Sequence, residues 1–453
     1  MVTATSLRTN HDRLMRSLEE VSAIGRLDDR SIDRRAFNEA DMAARRWLVE
    51  TCRERGLRAE LDAAGNVRAW GPDASSPMQD SSRRPDDPGP RPLLIGSHLD
   101  SVPQGGTLDG TLGVMIGLEV LTCLREVGEL PRKPAELVAF SDEEGRFGGM
   151  FGSRALAGLL SPLDVERAVD LEGTSLVDAM AAHGLAAHDA LHVRVQPGAY
   201  RAYLEVHIEQ GPVLDAHGER LGVVTHVTGL LKWRVTLRGR SDHAGTTPMS
   251  MRRDAFAGLA EFAGEIPRLL EEHGGEHSVA TIGNVTLSPG AANSVPGEAV
   301  FSVDVRDGDR AVLDDIAGAM RRALSAIARR RGLMFEFEVL GSIDPVPCDP
   351  AVVDALVAAA RETGVEPRTM PSGAAHDAQS MAAIAPIGMI FAPSVGGRSH
   401  ASAEWTHRDD IVLAADVCLA AARRLAATDP DRLPHEPPPR SEDDLPPAEE
   451  PPR

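Results

Sequence analysis

Apolar and polar positions along this chain follow two rhythms. From residue 11 to 60 the apolar positions recur every three to four residues, first as Leu14, Leu18, Val21 and Ile24, then as Met42, Ala43, Trp47, Leu48 and Cys52. That spacing predicts two amphipathic helices. Stretches 59–62 and 66–70 flank Ala64-Gly65-Asn66 and predict a hairpin. Short apolar runs then appear at Leu93-Leu94-Ile95, Glu136-Leu137-Val138-Ala139-Phe140, Tyr203-Leu204-Glu205-Val206-His207-Ile208 and residues 386–391. Each reads as a buried strand. Helical patterns separate them, notably Val114, Ile116, Leu118, Val120, Leu121 and Leu124, then 350–363 and 411–427. Residues 213–224 read as a loop or hairpin. Residues 71–91, rich in Pro, Ser, Asp and Arg, predict a flexible surface loop.

The pattern changes near residue 227. Residues 231–238 alternate as a strand, 254–270 are helical, 279–287 and 299–304 are strands, 311–331 are helical, and 334–340 form a strand. The order β-α-β-β-α-β is ferredoxin-like. The predicted fold class is therefore α/β: an open mixed sheet sandwiched by helices, built from 1–227 and 344–427, with an inserted ferredoxin-like α+β domain at 228–343. From residue 428 to 453 prolines and acids dominate and predict a disordered tail.

Composition narrows the function. The chain has 453 residues and a formal net charge of −20, which argues against a nucleic-acid partner. Cys52, Cys123, Cys348 and Cys418 are scattered without a C-x-x-C pair, so neither a disulfide framework nor a thiolate metal site is expected. They suit a reducing cytosol. No signal-peptide h-region and no membrane-length apolar run are seen, and a cytoplasmic location without membrane association is expected.

Chemistry concentrates at the predicted strand ends. Leu93-Leu94-Ile95 runs into a Gly-rich loop carrying His98, Asp100 and Asp109. The 136–140 run ends at Glu143-Glu144, the third at His207, and the 386–391 run precedes His400. Open α/β sheets place ligands at the carboxyl ends of their strands. Taken singly, His98 could cap a turn, Asp109 a helix, and Glu143-Glu144 could form a solvated acidic turn. Together, imidazoles and carboxylates without thiolates suit Zn²⁺ or Mn²⁺. A carboxylate can bridge two such ions, leaving another acid as base.

Five motifs carry a family resemblance. They are Gly96-Ser97-His98-Leu99-Asp100-Ser101-Val102 followed by Asp109-Gly110, Glu143-Glu144-Gly145, His207-Ile208-Glu209-Gln210-Gly211-Pro212, Ser241-Asp242-His243-Ala244-Gly245-Thr246-Thr247-Pro248, and Asn293-Ser294-Val295-Pro296-Gly297. The chain from about 15 to 427 resembles the hydantoinase/carbamoylase group of the M20 metallopeptidase clan, which includes N-carbamoyl-L-amino-acid hydrolases and allantoate amidohydrolases. His-Ile-Glu-Gln-Gly-Pro points to the carbamoylase branch. Three departures stand out: Glu144-Gly145-Arg146-Phe147 is one residue shorter than the usual loop, Ala375 replaces a glycine, and Ala401-Ser402-Ala403 lacks a proline.

The resemblance implies two divalent ions per chain, Zn or Mn, with Co or Ni as further options. His98 and His207 would hold one, Glu144 and His400 the other, and Asp109 would bridge. Asp100 would orient His98, and His376 would stand behind the ligands or be structural. Glu143 would be the general base acting on metal-bound water. Gln210 would contact the ureido or amide group, Arg306 and Asn293 the substrate carboxylate, and His243 the scissile carbonyl. These last three lie in the 228–343 lid domain, through which a homodimer is expected. The implied activity is hydrolysis of a C–N bond in N-carbamoyl-L-amino acids or related ureido acids. The alternatives are an allantoate amidohydrolase, an N-acyl-amino-acid deacylase or peptidase of the clan, and a metal-free binding protein with a decayed site.

Overall fold

The computed structural model describes residues 7–27, 31–72 and 91–427, so the expected tail and nearly all of the expected 71–91 loop lie outside the described residues. The chain forms two compact units. One comprises residues up to Thr225, Cys348–Met370 and Ala375 onward; the other comprises His226–Pro347 and Pro371–Ala374.

In the first unit the sheet is built from β1 (Arg58–Leu61), β2 (Val67–Trp70), β3 (Leu93–His98), β4 (Ala135–Phe140), β5 (Ala202–Ile208), β6 (Gly222–Val227) and a late strand, Ile387–Ala392. The order is β1-β2-β4-β3-β5, then Ile387–Ala392, then β6. The hairpin β1–β2 and the pairings β2–β4 and Ile387–Ala392 with β6 are antiparallel. The four strands β4, β3, β5 and Ile387–Ala392 run parallel to one another. Every residue of those four is buried, which is why their sequences read as mostly apolar runs. Parallel pairing brings four carboxyl ends to one sheet edge. Helices His11–Ser22, Glu39–Glu54, Thr111–Glu126, Pro350–Glu362 and Arg408–Ala427 supply the main apolar core, with Leu14, Leu48, Ile116, Leu356 and Leu419 fully buried. A second cluster gathers Phe37, Phe151, Leu176 and Met180.

Close packing dictates two glycines beside the sheet. A Cβ at Gly96 would overlap the Val138 carbonyl, and one at Gly113 the Val206 carbonyl. Residues 213–224 divide into a short helix, Val213–His217, and the start of β6, because Glu209 caps Val213 and Leu214.

In the second unit β7 (Gly229–Arg238) pairs with β10 (Glu298–Asp307) and with β11 (Met334–Ile343), all antiparallel. Burial alternates along β7 and β10, so one face packs on helices Ala255–His273 and Arg310–Arg331 around Trp233, Phe262, Phe301, Ile316 and Met320. The predicted strand 279–287 is split into β8 (Val279–Thr281) and β9 (Val285–Ser288), both on β10. Between the registers Asp304↔Thr281 and Phe301↔Val285, three residues face two. The extra residue makes a bulge, where Asn284 N–H donates to Ser302 Oγ at 3.1 Å.

Candidate metal centre

The parallel edge of the sheet gathers the predicted ligands. His98 is the last residue of β3, His207 the sixth of β5, and Glu143-Glu144 follow β4 in a tight turn where Asp142 takes φ +51°. Asp142 accepts amides from Phe147 and Gly149, which shapes that turn. His400 sits in the loop after Ile387–Ala392 with φ +55°. Asp109 precedes Gly110, at φ +60°, where a Cβ would overlap the His98 ring.

Two groups emerge that share one carboxylate. His98, Asp109 and His207 bring ligand atoms within 4.8 Å of one another, and so do Asp109, Glu144 and His400. Asp109 Oδ1 lies 3.1 Å from His207 Nε2 and 3.6 Å from His98 Nε2. Its Oδ2 lies 3.2 Å from His400 Nε2, which is 3.4 Å from Glu144 Oε2. Both buried imidazoles turn Nδ1 to a backbone carbonyl, His98 to Asp100 and His207 to Ile208. Those bonds leave each Nε2 facing the centre, the tautomer a metal ligand needs. Glu144 Oε1 is buried and receives no hydrogen bond. Imidazole nitrogens, carboxylate oxygens and an unmatched buried acceptor fit divalent cations such as Zn²⁺ or Mn²⁺. A third group, Glu205, His207 and His376, shares His207.

The charges are arranged accordingly. Glu143 is held well above the usual carboxylate range by burial and by Asp377, Glu144, Asp100 and Asp109. Burial and Asp109 raise Glu144 in the same way. Burial lowers His98 to about 4. Burial also works against a charge on His207, but Asp109 beside it outweighs this and raises the imidazole to about 9. Against its own burial, Asp109 is held well below its ordinary value by His207, His400 and His98. Asp109 thus favours a proton on His207 in the ion-free centre, and that proton competes with an incoming cation. Calorimetric titration at pH 7 in buffers of differing ionisation enthalpy should show proton release on cation uptake, with affinity climbing as pH rises toward about 9. Uptake without proton release would contradict the assignment of His207.

The other predicted residues fall as follows. Glu143 Oε2 lies 3.6 Å from His98 Nε2, in neither ligand group. The Asp100 carboxylate reaches the acidic turn, accepting Glu144 N–H at 3.1 Å, and faces Arg45 at 3.7 Å; the contact to His98 comes from the Asp100 carbonyl. Gln210, at φ +60°, donates to Asp109 Oδ2 at 2.9 Å, and its own Oε1 is buried without a donor. The His376 ring packs edge-on to His207 at 4.6 Å. In the second unit, the loops carrying His243 and Asn293 are zipped together by Ala244 N–H to Asn293 O and Val295 N–H to Asp242 O. Arg306, on β10, donates to Asp304 at 3.0 Å and to the Gly373 carbonyl at 2.6 Å.

Sequence reasoning missed Arg45 and Glu404. Arg45 is fully buried, pairs with Asp41, and donates to the Ala139 and Phe140 carbonyls at the end of β4. Glu404 is 2% exposed between exposed neighbours, a signal visible only as an acid after a ligand loop.

Comparison with known proteins agrees with this geometry. Residues 94–424 match the model of the peptidase family M20/M25/M40. The chain is 38% identical over 422 residues to an N-carbamoyl-L-amino acid amidohydrolase of Geobacillus stearothermophilus, covering 92% of this chain and 98% of that one. It is 37% identical to an allantoate amidohydrolase of Escherichia coli K12, covering 70% and 77% of the two chains. A crystal structure of an amidase of the hydantoinase/carbamoylase family from Burkholderia multivorans superposes with a TM-score of 0.83 at 33% identity, covering 93% of this chain and 99% of that one. The chain belongs to the M20/M25/M40 peptidase family, in its hydantoinase/carbamoylase branch. It is a metal-dependent amidohydrolase, an enzyme of carbon–nitrogen bonds.

Proposed function

We propose that this enzyme hydrolyses the ureido C–N bond of N-carbamoyl-L-amino acids with two divalent cations, Zn²⁺ or Mn²⁺, per chain. One feature carries this reading: Asp109 belongs to both ligand groups, and Glu143 stands beside them outside either. Two cations held there would activate water, polarise the scissile carbonyl and offset the crowded negative charge. Glu143 takes a proton from the attacking water at its carboxylate and passes it to the leaving nitrogen. The Gln210 Oε1, buried without a donor, accepts the terminal N–H of the carbamoyl group. An N-acyl methyl has no such proton to offer, and leaving a buried acceptor unpaired costs roughly 1–3 kcal/mol. Arg306 pairs its planar guanidinium with the substrate carboxylate, helped by Asn293, and His243 polarises the carbonyl. By family resemblance these three serve the partner subunit of a homodimer formed through 228–343. The carbamate product breaks down to CO₂ and ammonia. A cytoplasmic location fits four buried free thiols.

A substrate panel with ammonia detection tests the reading. N-Carbamoyl-L-amino acids should release ammonia, whereas N-acyl amino acids should be poor substrates. Preferential cleavage of allantoate would move the substrate to that ureido acid. Cleavage of N-acyl substrates alone would overturn the proposal.

A further inference from the structure

We propose that Glu404 is a positioning residue that clamps the Asp109 loop to the His400 loop, so that the shared carboxylate and the last imidazole meet the cations as one preassembled unit. The inference rests on the two-cation reading above.

The loop that carries His400 needs such a tie. It is closed at its base by Val395 N–H to the Trp405 carbonyl, 2.9 Å. Within it, His400 takes a left-handed φ of +55°, a conformation that disfavours a residue with a Cβ. Its side chain is 47% exposed, so packing alone does not fix the ring.

Glu404 supplies the fixed point. It is buried while Ser402, Ala403 and Trp405 around it are exposed. Its Oε1 accepts the amides of Leu108 at 2.9 Å and Asp109 at 3.1 Å. Its Oε2 lies 3.2 Å from Ser399 Oγ, which lies 2.9 Å from Asp109 Oδ2. One hydroxyl proton is thus shared between two carboxylates, joining the residue before His400 to the bridging acid. Glu404 is in none of the ligand groups, and its oxygens are already engaged with amides and a hydroxyl. Gly106 gives independent support. A Cβ there would overlap the Glu404 carboxyl, and Gly106 does not take a left-handed φ, so this glycine makes room for the clamp.

The test uses ion-stripped full-length chain, titrated with Zn²⁺ or Mn²⁺ by calorimetry, alongside ammonia release. Glu404→Ala should weaken uptake by about 10–100-fold, the effect usual for partners standing behind metal ligands. Excess metal should restore most of its kcat. Glu404→Gln keeps an acceptor for the two amides and can offer its NH₂ to Ser399, so it should recover most of the affinity. Gly106→Ala should behave like Glu404→Ala by displacing the carboxyl. Circular dichroism checks folding, and if Glu404→Ala does not fold, the Gly106→Ala titration decides. No uptake by the unaltered chain would remove the two-cation reading and the clamp with it. Normal uptake by the unaltered chain, with equal affinity in the folded variants, would remove the clamp alone.

Discussion

Replacing Glu143 by glutamine is expected to lower turnover by about 10²–10⁴-fold while the bound cations stay in place. That loss corresponds to about 3–5 kcal/mol of barrier. Glutamine keeps the length and polarity of the side chain but cannot accept the proton. Glu143 lies outside both ligand groups, and its position comes from the backbone: β4 ends at Phe140, Asp142 turns the chain at φ +51°, and Asp100 receives the following amide. None of those anchors uses the Glu143 carboxylate. Metal content by atomic emission should therefore match the unaltered enzyme, and kcat should fall more than KM. Full turnover in Glu143→Gln would remove its role as base, and loss of metal would make it a ligand instead.

The same local logic explains what could be read from the sequence. A strand buried on both faces is an apolar run, and its end is marked where the run meets His, Asp or Glu. His98, Glu144, His207 and His400 were legible because each lies at or just beyond such an end, and Asp109 because a glycine follows it into a helix. Partners set by distant chain contacts left no such mark. Arg45 belongs to a helix whose apolar spacing is visible, but its guanidinium reaches the Ala139 and Phe140 carbonyls some 95 residues away. Glu205 looks like an interruption in an apolar strand, yet it accepts from Ser97 Oγ at 2.7 Å and from Ala378 N–H at 3.0 Å. The β8–β9 bulge was hidden for a related reason, since it depends on the count of residues in the strand opposite.

These buried partners reveal an electrostatic imbalance. Asp100, Asp109, Asp142, Glu143, Glu144, Glu205, Asp377 and Glu404 are all shielded from water or nearly so, and burial is the largest influence raising all of them but Asp109. Arg45 faces only one side of this set, near Asp41 and Asp100. A region so charged is costly to desolvate unless protons or cations balance it. Cation binding should therefore stabilise the fold as well as enable catalysis.

Asp109→Asn tests both consequences at once. Asp109 is the only residue common to the two cation groups that carry the proposed chemistry, with one oxygen toward His98 and His207 and the other toward His400. Asparagine keeps the shape but offers one neutral oxygen and an NH₂ that points a donor where a cation should sit. Metal content should drop from the proposed two ions per chain toward none. Activity should fall by about 10⁴-fold or more, because the several kcal/mol supplied by the ions is lost with them. In the unaltered enzyme, adding Zn²⁺ to the ion-stripped chain at a hundredfold excess over Kd should stabilise it by about 2.7 kcal/mol, seen as a rise in Tm. That rise should vanish in Asp109→Asn. Without cations the variant also loses the carboxylate that His207 and His400 hold in its charged form, so its ion-free Tm should fall below that of the unaltered chain. A variant that still binds two ions and still turns over would show that the two groups do not depend on a common carboxylate.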